Sequence, residues 1–133
     1  MNNEELIRGL RVPPHNMLSE TAVLGAIFLK PSILPMVQEK LSPSHFYREA
    51  HSRIYETMCA LKKSGNPIEP ASVATELEKV DKLEQAGGTG YIYQIMQETA
   101  TAAGWKYHVN QILDTATRRE LITIASNAQE RLF

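Results

Sequence analysis

The C-terminal end of the chain constrains its fold more than any other stretch. The segment from about Ala102 to Arg131 contains no proline, and its one glycine, Gly104, would fall in the first turn of a helix. The segment therefore predicts one long α-helix. At about 100° per residue, its apolar stripe changes direction part-way along by on the order of 120°.

These two stripes cannot both press onto one small core if the helix is straight. The first consists of Trp105, Val109, Ile112 and Ala116, and the second of Leu121, Ile124, Ala125, Ala128 and Leu132. We predict that the first half of the helix closes a compact head and that the second half projects and needs another surface. A break near residues 115–117 that gives two short antiparallel helices is the alternative, although no turn residue stands there.

Upstream of this helix, prolines and glycines separate shorter helical segments, and no alternating strand pattern occurs. The fold class predicted is therefore all-α, with a compact multi-helix head followed by a long C-terminal helix. Residues 1–12 are polar and are predicted to be loose. Six head elements are expected. The first three are a helix capped by Asn16 with Leu18, Ala22, Gly25 and Leu29 on one face, a short helix to about Lys40 with Pro35 in its first turn, and a helix over Tyr47–Ser64 introduced by Ser42-Pro43. The other three are a helix from Pro70 carrying Val73, Leu77 and Val80, a turn of helix ending at Ala86, and a helix over Gly90–Glu98 capped by Thr89.

Composition restricts the partners and the compartment. The chain has 133 residues, a formal net charge of −1 and a single cysteine. One cysteine excludes an internal disulfide framework and suits a reducing compartment, so we expect a cytoplasmic protein. No apolar stretch approaches the ~20 residues that span a bilayer. The near-neutral charge favours protein partners over nucleic acid, so DNA contact is expected to be weak or absent.

No group of residues predicts catalysis. The loop Gly87–Gly90 follows a helix and not a strand, and the pattern GxxxxGK followed by Ser or Thr occurs nowhere in the chain. His45 and His51 are not at metal-ligand spacing, and Cys59 next to Met58 is interpreted as a buried apolar thiol. His51 is expected on the core-facing side of its helix. We therefore predict no catalytic residue, no cofactor and no metal ion.

Two polar features leave alternatives open. Arg118-Arg119 is the one adjacent arginine pair, and it is either part of a solvated face or the rim of a site for an acidic partner helix. Tyr91 and Tyr93 flank an apolar residue, so at least one of them is expected to face solvent. An exposed tyrosine is a common interface anchor, although it more often covers the edge of a core.

Four collinear segments carry a family resemblance. They are PPHN with AVLGAIFL, then FYREAHSRIYETM, then GGTGYI, then TATAAGWKYHVNQI, between Pro13 and Ile112. In this order and spacing the chain resembles the N-terminal domain of the DnaB-type replicative DNA helicases of bacteria and phages, over about residues 13–129. The resemblance implies a helical head followed by a two-helix hairpin, of which the long C-terminal helix would be the first arm.

The resemblance also implies a function by binding. In this family the hairpins pair between subunits, so that six domains form a collar, and the collar receives the C-terminal domain of primase and in some systems a helicase loader. Residues 13–133 would be this domain, truncated before the second hairpin helix. The parent protein would be an ATP-dependent helicase with its motor elsewhere. Glu120 and Asn127 are more polar than is usual in the family, which puts the partner surface in doubt.

These implications define the expected function of the chain and the residues that are expected to make contacts. The chain is interpreted as a non-catalytic domain; the alternatives are a helicase-docking domain of a primase and a small helical nucleic-acid-binding protein. An unrecognised enzyme is the weakest alternative, because no polar residues converge at a useful spacing. The expected primase contacts are Tyr91, Arg118, Leu121 and Ile122, and the expected subunit interface is Leu121, Ile124, Ala125, Ala128 and Leu132.

Overall fold

A computed structural model describes residues 12–132 of the chain. All regular secondary structure in this range is helical, which confirms the all-α prediction. The predicted loose segment 1–12 lies, except for Val12, outside the described residues. The helices are α1 (Met17–Leu29), α2 (Leu34–Gln38), α3 (Glu49–Lys63), α4 (Pro70–Lys79), α5 (Gly88–Glu98) and α6 (Trp105–Leu132), with 3-10 turns at Pro31–Ile33 and Pro43–His45.

Helix α1 is the central element of the head. The Asn16 side chain accepts a hydrogen bond from the backbone N–H of Ser19, so the predicted cap is confirmed. The predicted apolar face is wrong at both ends, because Leu18 is 77% exposed and Leu29 42% exposed. Helices α3, α5 and α6 all contact α1, so its middle turns are buried on several sides. The buried apolar residues of α1 are Val23, Leu24, Ala26, Ile27 and Phe28.

No single helix in the described residues is long and apolar enough to cross a membrane. Helix α1 reaches the required length and hydropathy only when it is taken together with Pro31–Gln38. The two parts of this pair are bent by 114° relative to each other.

Pro35 lies in the first turn of α2, as predicted, where its missing N–H is not needed.

The start of α3 differs from the prediction. Ser42-Pro43 begins only a 3-10 turn, in which the Ser42 N–H donates to His45 Nδ1 at 2.9 Å. Phe46 is then extended and buried, so α3 begins at Glu49 and not at Tyr47. The end of α3 is as predicted, because Gly65 has φ +77°, a left-handed conformation that favours glycine. The residues predicted to point inward from α3 are buried: Ala50, Ile54, Met58 and Leu61.

The connection between α4 and α5 also differs. Val73 and Leu77 are buried as predicted, but Val80 is 62% exposed because α4 ends at Lys79 and the chain reverses there. The segment that ends at Ala86 is a turn and not a helix. Gly87, with φ +93°, precedes α5, which begins at Gly88. The Thr89 that we expected to cap α5 therefore lies inside it.

Helix α6 is continuous from Trp105 to Leu132, so the alternative of a break near residues 115–117 is wrong. At 1.5 Å per residue the helix is roughly 42 Å long. Its first half contacts α1 and the turn Pro43–His45, and Val109 and Ile112 are buried there. Every residue from 120 to 132 is exposed. The prediction of a helix that closes the head and then projects is confirmed.

Tyr55 of α3 is expected to make the head less stable at alkaline pH. Its ring is fully buried and its hydroxyl donates to the Leu41 carbonyl at 2.8 Å. Burial, with a smaller contribution from Cys59, raises the pKa of Tyr55 well above its ordinary value of 10.0. The unfolded chain therefore loses this proton at a lower pH than the folded chain does. Tyr55 thus contributes stability that is fully present below pH 10 and is lost as the pH rises further.

We expect the urea midpoint of the chain to fall as the pH rises from about 10, where the tyrosine of the unfolded chain titrates, towards the raised pKa of the folded Tyr55. Tyr55→Phe should have a lower midpoint at neutral pH, because one buried hydrogen bond is lost, but a flatter decline with pH. Tyr107→Phe is the matched control, since Tyr107 is exposed. Equal declines for Tyr55→Phe and the unmodified chain would contradict the assignment.

Candidate protein-interaction surface

The second half of α6, residues 120–132, is exposed along its whole length, and we call it the arm. Leu121 is 60% exposed and Leu132 82% exposed, and Ala125 and Ala128 are exposed between them. A row of apolar side chains that the head does not cover is typical of a protein–protein contact. Leu121, Ile124, Ala125, Ala128 and Leu132, the residues of the predicted second stripe, are all exposed on the arm.

The predicted primase contacts lie on two separate helices. Arg118, Leu121 and Ile122 are close together in α6, and all three are exposed. Arg118 Nε forms an ion pair with Asp114 Oδ2 at 3.1 Å. Tyr91 is on α5 and is half-buried. Within residues 12–132, no hydrogen bond, ion pair or ring contact joins Tyr91 to the other three, so a single surface made by all four stays a prediction.

The side chain of Tyr91 belongs to a polar network inside the head. Its hydroxyl is 2.6 Å from His51 Nε2 and accepts a hydrogen bond from Arg48 Nη1 at 3.0 Å. The other ring nitrogen, His51 Nδ1, is 2.8 Å from Glu20 Oε1. This arrangement fits a His51 ring that donates from Nδ1 to Glu20 and accepts at Nε2 from the Tyr91 hydroxyl. Burial raises the pKa of Tyr91, and the positive charge of Arg48 partly opposes that rise.

Glu20 is the centre of this network. Its carboxylate is fully buried, and Oε2 accepts from the backbone N–H of Tyr47 at 2.7 Å. Oε1 accepts from the N–H of Arg48 at 3.3 Å as well as from His51. The network joins α1, the start of α3 and α5. Both carboxylate oxygens of Glu20, both ring nitrogens of His51 and the Tyr91 hydroxyl have hydrogen-bond partners within the head, so the geometry serves to hold three helices together.

The adjacent arginines have different environments, and Arg119 has neither of the two roles that the sequence left open. Arg118 lies on the solvated face, but Arg119 turns towards the head. Its Nη1 donates to the Pro14 carbonyl at 2.9 Å and its Nη2 to the His45 carbonyl at 2.7 Å. The guanidinium also lies 5.4 Å from the centroid of the Tyr47 ring. We call these contacts the Arg119 clamp; they fasten α6 to the head immediately before the arm begins.

The contacts that Glu20, Arg48 and Arg119 make within the head go beyond what the sequence predicts. Arg119 carried a signal, because it continues the helical spacing of the head-facing stripe three residues after Ala116. Glu20 carried none, since an acidic residue in the first turn of a helix is ordinarily explained by the helix dipole. His51 was expected on the core side, and it is fully buried.

We expect Arg119→Ala to lower the free energy of unfolding by about 1–2 kcal/mol, because two charge-assisted hydrogen bonds and a ring contact are lost. Arg118→Ala is the matched control. Its ion pair with Asp114 is exposed, so its loss should change stability by less than about 0.5 kcal/mol. Urea titration followed by circular dichroism measures both. Equal effects of the two substitutions would show that the clamp does not contribute.

Cys59 and the glycine-rich segment at the start of α5 are the other features that the sequence singled out. Cys59 was expected to be buried, but it is only half-buried. Burial raises the pKa of its thiol, so the thiolate is disfavoured at neutral pH. Of the predicted loop Gly87–Gly90, only Gly87 precedes α5, and the other three residues form the first turn of that helix. Among residues 12–132, no group of three or more histidine, cysteine or acidic side chains could hold a metal ion.

Comparison with known proteins identifies the family. The sequence model described as "DnaB-like helicase N terminal domain" matches residues 12–114. The chain belongs to this family. It is 40% identical over 116 residues to "Replicative DNA helicase DnaC" of Bacillus subtilis (strain 168), a match that covers 87% of this chain and 26% of the relative. It is 35% identical over 117 residues to "Replicative DNA helicase DnaB" of Geobacillus stearothermophilus, covering 88% of this chain and 26% of the relative. The chain thus spans about a quarter of the length of these relatives.

Solved structures of DnaB-type domains have the same fold. The N-terminal domain of DnaB helicase from Mycobacterium tuberculosis superimposes with a TM-score of 0.85 at 30% identity, covering 89% of this chain and 84% of that one. A DnaB-like replicative helicase, described with its interactions with primase, gives 0.75 at 30% identity over 88% of this chain and 27% of that one. The N-terminal domain of the Helicobacter pylori helicase gives 0.75 at 20% identity over 99% and 98% of the two chains, which shows the fold alone.

Proposed function

We propose that this chain is the non-catalytic N-terminal domain of a replicative hexameric DNA helicase, and that it acts by binding other proteins during DNA replication. The observation that carries the proposal is the arm, whose apolar side chains from Leu121 to Leu132 have no partner in the head. Membership of the DnaB family supports it. Because the relatives are about four times as long as the matched segment, the ATP-hydrolysing motor is assigned to the rest of the parent protein.

The first proposed role is self-association into a collar. The stripe formed by Leu121, Ala125, Ala128 and Leu132 has a leucine at each end and two alanines between them. Alanines let a second helix approach closely, and leucines supply buried apolar area. The proposed occupant of this stripe is the second helix of the hairpin together with the arm of a neighbouring subunit. Ile124 lies beside the stripe and would cover its edge.

The second proposed role is docking of the primase C-terminal domain, with a helicase loader as a further partner of the collar. The proposed primase patch is Arg118, Leu121 and Ile122, with Tyr91 on α5. A contact of less than about 1,200 Å² suits a partner that binds and leaves repeatedly. Direct DNA binding is disfavoured, because Arg118 is paired with Asp114 and Arg119 is held in the clamp. These roles place the parent protein in the cytoplasm.

The experiment is a titration of the isotope-labelled chain with the cognate primase C-terminal domain, followed through backbone amide shifts. Leu121→Asp should raise the Kd at least about tenfold, since a charge would replace an apolar contact at the centre of the patch. Helical circular dichroism should stay unchanged, because Leu121 is exposed. Thr123→Asp is the matched control: it adds the same charge to the same exposed helix, about 200° around from Leu121.

Saturable shifts that cluster at Arg118–Ile122 and are lost in Leu121→Asp alone would support the primase role. Equal affinities of Leu121→Asp and Thr123→Asp would remove the arm from the primase site. Self-association is measured separately by sedimentation of the full-length parent. There Ala128→Asp should weaken subunit contacts more than Thr123→Asp does, and equal sedimentation would contradict the collar role of this stripe.

A further inference from the structure

A groove lies between the C-terminal end of α2 and the first two turns of α6, at the end of the long helix opposite the arm. Its volume is about 330 Å³. Val109 forms a buried floor, and the partly exposed Trp105 and Met36 form the sides. Met36 is 44% exposed, so an apolar side chain stands open to solvent beside the only tryptophan of the chain. The volume is at the low end of the range for binding pockets and suits one anchoring side chain.

The charges around the groove are mostly positive. Lys40 and Lys106 lie on its two sides, and Glu39 is the one acidic residue that lines it. Within residues 12–132, neither lysine is within ion-pair distance of a carboxylate. The chain as a whole has a formal charge of −1, so this local excess runs against its average. Lys106 Nζ lies 5.6 Å from the Trp105 ring centroid, which keeps one ammonium directly at the apolar surface.

We propose that this groove is a docking site for an acidic peptide segment of a partner protein that carries one bulky apolar anchor. The anchor would fill the space between Met36 and Trp105 above Val109. Carboxylates on either side of the anchor would lie against Lys40 and Lys106. The groove binds through a few exposed charges and one buried side chain, so the contact is weak, fast and sensitive to salt.

This site is separate from the proposed primase patch. Trp105 and Leu121 are sixteen residues apart in one straight helix, which corresponds to about 24 Å. A partner in the groove would therefore leave the arm accessible. The proposal does not depend on the roles assigned to the arm, and a failure of either one does not affect the other.

The test uses the fluorescence of Trp105, which needs no label because the chain has no other tryptophan. The probe is a short synthetic peptide of aspartate and serine with one central phenylalanine. We expect a saturable change of emission that weakens as salt is added. Lys40→Glu should raise the Kd roughly tenfold, corresponding to about 1.4 kcal/mol. Lys63→Glu is the matched control, since Lys63 is exposed and lies outside the groove.

Two further probes test which kind of ligand the groove binds. A peptide in which serine replaces the phenylalanine should bind at least about tenfold more weakly, because the anchor is lost. A single-stranded oligothymidylate tests whether the lysines and the tryptophan serve nucleic acid instead. No response to the acidic peptide, equal binding of the serine peptide, equal effects of Lys40→Glu and Lys63→Glu, or tighter binding of the oligonucleotide would each overturn the proposal.

Discussion

Glu20→Ala is expected to lower the free energy of unfolding by about 3–5 kcal/mol, because three hydrogen bonds to a buried carboxylate are lost and each donor left without its acceptor costs about 1–3 kcal/mol. The substitution leaves the N–H groups of Tyr47 and Arg48 and the ring of His51 without their acceptor inside the head. A domain of this size has a total stability of only about 5–15 kcal/mol, so the loss would remove a large fraction of that stability. Thermal and urea unfolding measure the effect.

Glu49→Ala is the matched control for this substitution. Glu49 is also a glutamate near the start of a helix, and it pairs with Arg53 at 2.8 Å, but its side chain is 66% exposed. Its loss should change stability by less than about 0.5 kcal/mol. Similar losses for the two variants would mean that the buried network does not stabilise the head. His51→Ala should fall between them, because Glu20 keeps its two backbone donors.

Gly25→Ala is expected to be the second most damaging substitution, at about 2–3 kcal/mol. A Cβ at this position would lie 1.8 Å from Thr99 Oγ1 and 2.7 Å from Thr99 Cβ. Rotating the Thr99 side chain would move its Oγ1 but not its Cβ, so the contact between the new Cβ at position 25 and Thr99 Cβ would remain. The end of α5 would therefore have to move away from α1. The close approach of these two elements is the reason that this position needs glycine.

Gly90→Ala is the matched control for overpacking. Gly90 lies in α5, and a Cβ there would have no neighbouring atom within 4 Å. Alanine should therefore stabilise the chain by about 0.5–1 kcal/mol, since it favours the helix. A second variant tests the mechanism: Gly25→Ala combined with Thr99→Gly should lose less stability than the sum of the two single substitutions. Additive losses would show that the clash with Thr99 is not the cause.

Local features of the fold could be predicted from the sequence. The α6 helix follows from the absence of proline and from the position of its one glycine at the very start of the segment, and the rotation of its apolar stripe predicts that the helix projects. Asn16 and Gly65 mark helix ends because their preferences act within a few residues. Features that depend on packing could not be predicted. Leu18 and Val80 fit a helical apolar pattern, yet both are exposed, and α4 ends at Lys79 before it reaches Val80.

The candidate site shows the same division between local and distant effects. The exposed stripe of the arm could be predicted, since a helical pattern reports which residues share a face. The burial of Glu20 could not, because its partners are 27 to 31 positions away in the chain. The different roles of Arg118 and Arg119 follow from helical rotation, which places only Arg119 on the face towards the head. Adjacency in the sequence concealed this difference.

The position of the Arg119 clamp has a mechanical consequence. Arg119 lies about midway along α6, so the helix is a lever with its fulcrum at the edge of the head. About 20 Å of rigid helix extends from this point to Leu132. If the helix axis rotated by only about 10° at Arg119, the outer end of the arm would move by about 3–4 Å. Small adjustments in the seating of Arg119 on the carbonyls of Pro14 and His45 would thus be magnified at the outer end of the arm.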